Sequence, residues 1–443
     1  MLDVPCFQLL ILLSALSLIV PTNAQETQRQ FFSGHFIWSL LDDGGVGPDR
    51  QREDSFYATR EIGSPIQVTP FTNSVGRASS RAEFLIENHF SSTDARDCKF
   101  SWQLRKFPLP GEADFRFTVL REGVFPSPAV PPGGRAVVKF DVPPSRNADA
   151  LALRVDDPGG RELWTWVWPL KPSGAARLAD GPSEQHAVPC ETNGAIVVQT
   201  GDFTATFSKQ TGRLIGVRRG AQSFSFTNGP RLAVGSATLR EIHFDDDGPD
   251  AIVSAKFDGD LKSVLWRVNN NGWIRCRYTY AVTGTNDFSG VIFDYPENLV
   301  RHKRWVGDGP FRVWKNRLRG VTPGVWENDC NNMPAGFRDW IYPEFKGFFA
   351  NVDWLQLDTA EGTITVVPEK IPFVQVLTPE FPPTNLKDNA FAPVPQCGLG
   401  FLDTIPPIGG KFQEARFSSP PDQANVAPGE FSGAVDFYFG RLP

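Results

Sequence analysis

The feature of this sequence that most constrains its fold is a long succession of short apolar segments separated by turn residues. The segments are rich in aromatic and β-branched residues, which favour strands: 82–87, 136–142, 195–199, 203–207 and 274–280. No long stretch keeps a helical period. The chain contains 40 Gly and 38 Pro, and turn residues cluster at 157–160, 209–212, 228–230 and 247–249. The sequence therefore predicts an all-β protein built of sandwiches.

The length of 443 residues exceeds the usual size of one hydrophobic core, so several units are expected. Residues 69–171 have the size and pattern of an immunoglobulin-like sandwich. They close on Trp164, Trp166 and Trp168, whose alternate spacing places three indoles on one strand face and favours core packing. Residues 172–188 are typical of a linker. Residues 189–443 show no further break and predict one larger β unit.

The N-terminal segment predicts export. Residues 7–20 are almost wholly apolar, are too short to span a membrane and are followed by a small residue, Ala24. We therefore expect residues 1–24 to be a signal peptide, although the first residues carry Asp3 and no Lys or Arg. The expected location is secreted or periplasmic, and no later segment predicts a membrane span.

Charge and metal-binding residues exclude several function classes. The formal net charge is −6, and Lys and Arg are scattered, so we expect no nucleic-acid partner. The histidines show neither metal spacing nor a paired base arrangement, and His243 beside an acidic run is expected on a surface loop. The cysteines after the signal lack a C-x-x-C pair, so no zinc site or other cofactor is expected. Disulfides and buried thiols both remain open for Cys98, Cys190, Cys276, Cys330 and Cys397.

The first part of the mature chain resembles a known family. An apolar segment at 34–43 carries Trp38 and ends in Asp42 and Asp43, and it precedes a segment at 52–68. This pair resembles the end of the (β/α)₈ barrel in β-galactosidase-like family 2 glycoside hydrolases. The resemblance implies that residues 25–68 are a vestigial barrel end, with a helix leading into the next sandwich. It also implies that Trp38 corresponds to a tryptophan at the floor of the sugar site.

Later motifs follow in the order of the same family. Residues 86–90 and 100–104 resemble its immunoglobulin-like domain, and residues 201–214 with 229–231 resemble the opening of its terminal supersandwich. The implied fold is an immunoglobulin-like β-sandwich followed by a large, galactose-mutarotase-like β-supersandwich at 189–443.

The catalytic part of that family has no counterpart here. Retaining hydrolysis needs two carboxyl groups roughly 5–5.5 Å apart. The family places both on barrel strands, and a whole barrel needs about 250 residues, far more than lie between Gln25 and Ile66. We assign no catalytic residue. The prediction is a carbohydrate-binding or accessory part of a glycoside hydrolase, with a β-galactoside-like glycan and a separately encoded barrel chain as partners.

The richest polar and aromatic stretch lies between residues 301 and 347. Sugars bind to aromatic faces and to charged planar groups, so this stretch is the candidate carbohydrate surface, and it resembles a motif of the family's supersandwich. A structural interpretation, with ion pairs across strands and indoles in the core, remains open. With the barrel-end residue included, the candidates are Trp38, Arg304, Trp305, Asp308, Arg312, Trp314, Trp326, Glu327, Tyr342, Glu344 and Lys346.

Two other functions remain open. The supersandwich could itself be a carbohydrate-active enzyme, a hydrolase, lyase or epimerase, for which Glu327 and Glu344 are one candidate carboxylate pair. Convergence of two carboxylates, or of a histidine and a carboxylate, would favour that alternative. The protein could instead have a structural or assembly role.

Overall fold

The structure is a computed structural model. It describes residues 54–71, 81–170, 174–284, 286–330, 334–335, 340–341, 345–379, 394–408 and 429–443. Within these ranges there is one α-helix, α1 (Asp54–Ile62), with 3-10 helices at Ala95–Asp97, Ala175–Leu178 and Glu297–Leu299. Nearly all the remaining regular structure is strand, which confirms the predicted all-β fold. The predicted signal peptide and residues 25–53, including Trp38, lie outside the described residues.

Helix α1 stands where the family resemblance implied a helix. It ends before Gly63 and Pro65, residues that terminate helices, and the Gly63 amide donates to the Thr59 carbonyl at 2.7 Å. The chain then enters the first strand of the smaller sandwich.

The smaller sandwich consists of a three-stranded sheet, order β1-β2-β5, and a four-stranded sheet, order β4-β3-β6-β7. Its strands are β1 (Ile66–Pro70), β2 (Arg81–Asn88), β3 (Lys99–Lys106), β4 (Thr118–Phe125), β5 (Arg135–Asp141), β6 (Ala150–Asp156) and β7 (Glu162–Pro169). The indoles of Trp164, Trp166 and Trp168 pack in the core with Phe84, as predicted. Because β4 pairs with β3, the sheet that contains the first strand, β1, has only three strands. In a constant-type immunoglobulin domain the sheet that contains the first strand has four.

The larger sandwich contains the remaining strands. They are β8 (Val188–Thr192), β9 (Ala195–Thr200), β10 (Phe203–Ser208), β11 (Leu214–Arg219), β12 (Gln222–Phe224), β13 (Thr227–Leu232), β14 (Ala237–Asp247), β15 (Asp250–Gly259), β16 (Leu261–Val268), β17 (Ile274–Val282), β18 (Ser289–Asp294), β19 (Val300–Gly309), β20 (Thr322–Asp329), β21 (Pro334–Ala335), β22 (Trp340–Ile341), β23 (Gly347–Ala350), β24 (Trp354–Thr359), β25 (Gly362–Glu369), β26 (Phe373–Val376), β27 (Leu399–Thr404) and β28 (Gly429–Phe439).

These strands form two large antiparallel sheets. The ten-stranded sheet has the order β23-β26-β27-β18-β13-β11-β10-β9-β8, with β12 paired to β11. The nine-stranded sheet has the order β14-β15-β16-β17-β28-β25-β24-β19-β20, and β21 pairs with β22 separately. Two large sheets facing each other across one core agree with the predicted supersandwich.

An aromatic seam joins the two sheets. The rings of Phe226 and Phe293 stack with centroids 4.9 Å apart, and Phe293 contacts Phe437 of the opposite sheet at 5.4 Å. Because side chains alternate along a strand, the residues between those of the core point to the outer face of each sheet. On β17, for example, Ile274 is fully buried in the core, whereas Arg275 is only half-buried.

The smaller sandwich packs on part of the outer face of the nine-stranded sheet. Phe107 and Ala150 belong to the same buried cluster as Trp354 and Tyr438. The Trp354 indole N–H donates to the Pro108 carbonyl at 3.1 Å. The sequence did not predict this contact.

Three local predictions need correction. Residues 228–230 lie inside β13 rather than in a turn, because Gly229 pairs with Leu214 of β11; the pairing with β18 shifts register between Thr227 and Arg231. His243 lies on β14, not on a loop. The thiols of the five described cysteines are free, but Cys190 is exposed, so the buried-thiol interpretation does not apply to it.

Replacing Phe437 with Ala tests the aromatic seam. The side chain is fully buried, so loss of its ring should lower the free energy of unfolding by about 3–5 kcal/mol through lost transfer energy and the cavity left behind. Urea unfolding followed by circular dichroism measures the change. The matched control is Ile215→Ala, at an exposed position, which should shift the midpoint little. Equal effects of the two variants would contradict the central role of the seam.

Candidate functional site

Strand alternation divides the predicted carbohydrate stretch into two sets of residues. On β19, Lys303 and Trp305 face the core, whereas His302 and Arg304 face outward. Trp305 belongs to the main core, and Trp314 lies in a smaller buried cluster on the ten-stranded sheet. Neither indole presents a ring face to solvent, so the structural interpretation holds for both.

The predicted basic residues at 312 and 346 are also buried. The Lys346 side chain is fully buried and forms an ion pair with Glu297. Arg312 Nη1 donates to the Lys346 carbonyl at 3.3 Å. The contacts of these cations are therefore internal to the fold. Tyr342 and Glu344 lie outside the described residues.

Asp308 and Trp326 support the hairpin of β19 and β20. The Trp305 indole donates to the Asp308 carbonyl, and the Trp326 indole donates to the Gly307 carbonyl, each at 3.0 Å. Asn351 Nδ2 donates to Asp308 Oδ2 at 2.8 Å. Burial raises the pKa of the Asp308 carboxyl to about 6. These interactions make Asp308 and Trp326 supports of the backbone.

Arg304 and Glu327 are the predicted site residues that lie on the outer face. They belong to two adjacent rows of polar side chains that cross β20, β19, β24 and β25. We call these rows the outer-face ladder: Glu327, Arg304, Gln356 and Thr365 in the first, and Asp329, His302, Asp358 and Thr363 in the second.

The first row is a chain of hydrogen bonds. Arg304 Nε donates to Gln356 Oε1 at 2.8 Å, and Gln356 Nε2 donates to Thr365 Oγ1 at 2.9 Å. Gln356 and Thr365 are buried, and Arg304 is half-buried. The buried amide therefore holds the guanidinium in a fixed position while its outer edge stays accessible.

In the second row, His302 lies between two carboxylates, Asp329 of its own row and Glu327 of the first. The His302 Nδ1 atom lies 2.8 Å from Asp329 Oδ1, and its Nε2 atom lies 3.5 Å from Glu327 Oε2. The side chain of His302 is 25% exposed, so a ligand can reach it. Thr363 donates to Asp358 at 2.9 Å.

Aromatic side chains border the ladder on the side of the smaller sandwich. The guanidinium of Arg304 lies 5.4 Å from the ring centroid of Phe115. Phe115 in turn contacts Trp354 edge-on, with centroids 5.6 Å apart. The smaller sandwich thus contributes an apolar wall beside the polar rows.

This arrangement has the groups needed for proton transfer and for binding a polyol. Imidazole is the side chain that ordinarily titrates closest to neutrality. A carboxylate hydrogen-bonded to one ring nitrogen fixes the orientation of the ring, as in other acid–base sites. A fixed guanidinium and an exposed carboxylate supply a donor and an acceptor for hydroxyl groups.

Sequence reasoning missed His302, Asp329, Gln356, Asp358 and Phe115. The pairs 302/304 and 327/329 have the spacing of one strand face. That spacing alone does not reveal which strands pair, and the register of β19 with β20 is what brings His302 opposite Asp329.

Across the described ranges, no group of three or more His, Cys, Asp or Glu side chains is placed to hold a metal ion. The described part of the chain also has no helix that is long and apolar enough to cross a membrane.

Replacing Asp308 with Asn should change how stability depends on pH. Burial raises the pKa of Asp308 from 3.8 to about 6, so between these values the folded state binds the proton more tightly than the unfolded state. Wild-type stability should therefore fall, relative to D308N, by on the order of 2–3 kcal/mol as the pH rises from about 4 to about 6.

Urea unfolding at several pH values measures this difference. Asp258→Asn, at an exposed position of β15, is the matched control and should follow the wild type. If the free energy of unfolding of D308N changed with pH in parallel with that of the wild type, the proposed cost of burying the Asp308 carboxylate would be contradicted.

Comparisons with known proteins find only distant likeness. A scan against family models finds no match, and neither does a search of curated proteins. Galactose 1-epimerase from Lactobacillus acidophilus NCFM has 10% identity and a TM-score of 0.32, over 58% of this chain and 99% of that one. A mutarotase candidate from Salmonella typhimurium has 12% identity and a TM-score of 0.28, over 57% and 94%. Similarity at this level says nothing about what this chain binds.

Proposed function

We propose that the larger sandwich is a carbohydrate-active unit that binds a sugar at the outer-face ladder and uses His302 for proton transfer. The observation that supports this most directly is the position of His302 between Asp329 and Glu327, beside a guanidinium fixed by Gln356. A histidine that converges with carboxylates supplies an acid–base group, which a surface that only binds a sugar does not need.

The residues around His302 suit a sugar. Hydroxyl groups both donate and accept hydrogen bonds, so they match the donors of Arg304 and the acceptors of Glu327 and Asp358. The half-buried ring of Phe115 adds apolar surface next to the guanidinium of Arg304, beside which the C–H groups of a pyranose could pack. Each of these groups belongs to a strand or to a loop packed on one, so the site is largely preformed.

Interconversion of the anomers of a free aldose is the reaction that this set of groups fits best. A base takes the proton of the anomeric hydroxyl while the bond between the anomeric carbon and the ring oxygen breaks. An acid gives a proton to that ring oxygen, and closure on the other face reverses both transfers. No co-reactant is needed. His302 is one transfer group, and Glu327, 3.5 Å from its Nε2 atom, is the candidate for the other, because Asp329 is hydrogen-bonded to Nδ1.

Hydrolysis fits the same residues less well. A retaining mechanism needs carboxyl groups on either side of the scissile bond, roughly 5–5.5 Å apart. Glu327 and Asp329 lie on one strand and both approach the same imidazole. They are therefore not placed to hold a glycosidic bond between them.

Replacing His302 with Gln should abolish most of the activity. Freshly dissolved α-D-galactose and α-D-glucose are followed by polarimetry, with buffer alone giving the spontaneous rate. We expect the purified chain to accelerate interconversion of one or both sugars, and H302Q to lower kcat by about 10²–10⁴-fold.

The matched control is His243→Gln. His243 lies 3.4 Å from Glu241 on the exposed strand β14, away from the ladder, and H243Q should retain the full rate. A wild-type rate equal to that of buffer alone would refute the proposal, as would equal losses in the two variants.

A second candidate is the accessory role implied by the family 2 resemblance. In that role the chain is exported, binds a β-galactoside and completes the site of a separate barrel chain. Helix α1 favours it, because the segment that would follow a barrel is anchored on the larger sandwich. Tyr57 lies 5.4 Å from Phe311 between ring centroids, and Glu61 accepts from Arg319 at 2.9 Å.

The accessory role predicts binding without turnover. Methyl β-galactoside should bind in calorimetry, and the chain alone should leave aryl β-galactosides intact and should not accelerate anomer interconversion. Release of the aryl group by the purified chain would contradict this role. No binding of the galactoside would contradict it equally.

A further inference from the structure

A second polar cluster lies on the outer face of the ten-stranded sheet. Val291 and Phe293 of β18 face the main core, so Ile292 and Asp294 point the other way. Arg231 is opposite Ile292 in the neighbouring strand and shares that face. The main core therefore separates this cluster from the outer-face ladder. We call it the arginine pair, and it consists of Arg213 and Arg231 with their partners Asn228 and Asp294.

The hydrogen bonds of the cluster use both oxygens of its carboxylate. Asp294 accepts from Arg231 Nη2 at 2.7 Å and from Asn228 Nδ2 at 2.6 Å. Arg213 Nη1 donates to Asn228 Oδ1 at 2.9 Å. Arg231 Nη2 also donates to the Gln396 carbonyl at 2.8 Å, which fixes its orientation.

The cluster carries more positive than negative charge. Two guanidinium groups share one carboxylate, whose two oxygens already accept hydrogen bonds from Arg231 and Asn228. Burial, and then the nearby charge of Arg231, lower the pKa of Arg213, while the charge of Asp294 acts in the opposite direction. The Nε atom of Arg231 is buried and meets no acceptor in the described part of the chain. The Arg231 side chain is nevertheless 28% exposed, so the cluster is open to a small ligand.

We propose that the arginine pair binds an oxyanion: a carboxylate, sulfate or phosphate group carried by an acidic sugar or present as the free ion. Guanidinium groups recognise such groups through paired N–H donors, and an anion there neutralises the excess charge. The site is separate from the outer-face ladder and does not depend on the function proposed for it.

Calorimetric titration of the full chain at low ionic strength tests the site. The probes are inorganic phosphate, inorganic sulfate and glucuronate. The probe that binds with the highest affinity identifies the source of the oxyanion. We expect saturable binding of one ion per chain. Arg213→Gln should weaken it by about tenfold or more, because one of two charged donors is lost. Arg213→Lys keeps the positive charge but lacks the paired N–H donors of a guanidinium, so its affinity should lie between those of the wild type and Arg213→Gln.

Arg240→Gln is the matched control. Arg240 is an exposed arginine on β14, with its nearest carboxylate oxygens 3.8 and 3.9 Å away, and R240Q should bind as the wild type does. Circular dichroism verifies that R213Q is folded, and a misfolded R213Q is replaced in the comparison by R213K. Three results would overturn the proposal: no saturable binding of any probe, undiminished binding by the folded Arg213 variants, or an equal loss in R240Q.

Discussion

The contact between the two large sheets is the interaction on which the rest of the structure depends. Phe293 of one sheet and Phe226, which lies just before β13, meet Phe437 of the other sheet, and all three side chains are fully buried. Because side chains alternate with a period of two, this contact decides which residues of every strand face outward. A slip of one residue would exchange the two sets. His302 and Arg304 reach solvent only because Lys303 and Trp305 are held inside.

Holding Lys303 inside is costly, and the surrounding residues compensate for the cost. Its ammonium lies 3.7 Å from the ring centroid of Phe349 and 4.4 Å from that of Phe345, and it donates to the Phe345 carbonyl. Aromatic faces and a carbonyl stabilise a desolvated cation. The same strand that carries the ladder is thereby fixed from its inner side. A rigid base of this kind suits a site whose groups must keep their relative positions.

The sequence predicted the class of fold better than the site. Segments such as 274–280 alternate cleanly, and each became a strand near its predicted bounds. Residues 301–305 do not alternate between apolar and polar types, because both sets of alternate positions contain cations. The pattern alone could not show that Lys303 is the inner residue and His302 the outer one. The pairing of His302 with Asp329 connects residues 27 apart, and only the register of the hairpin determines it. The sequence predicted Arg304 and Glu327 as site residues. It could not predict the role of Gln356, which depends on Arg304 and Thr365 on the two adjacent strands.

The smaller sandwich and the linker cover part of the sheet face on which the ladder lies. Ala175 and Ala179 of the linker belong to the buried cluster with Tyr438, and next to it Asp436 is buried in an ion pair with Arg275 at 2.8 Å. Burial raises the pKa of Asp436 to about 6, as expected for a carboxylate withdrawn from water. The Asp436 carboxylate in the middle of the sheet is thus withdrawn from water, while polar groups on β19 and β20 remain accessible. Packing between the two sandwiches therefore selects which polar residues of one continuous face can meet a ligand.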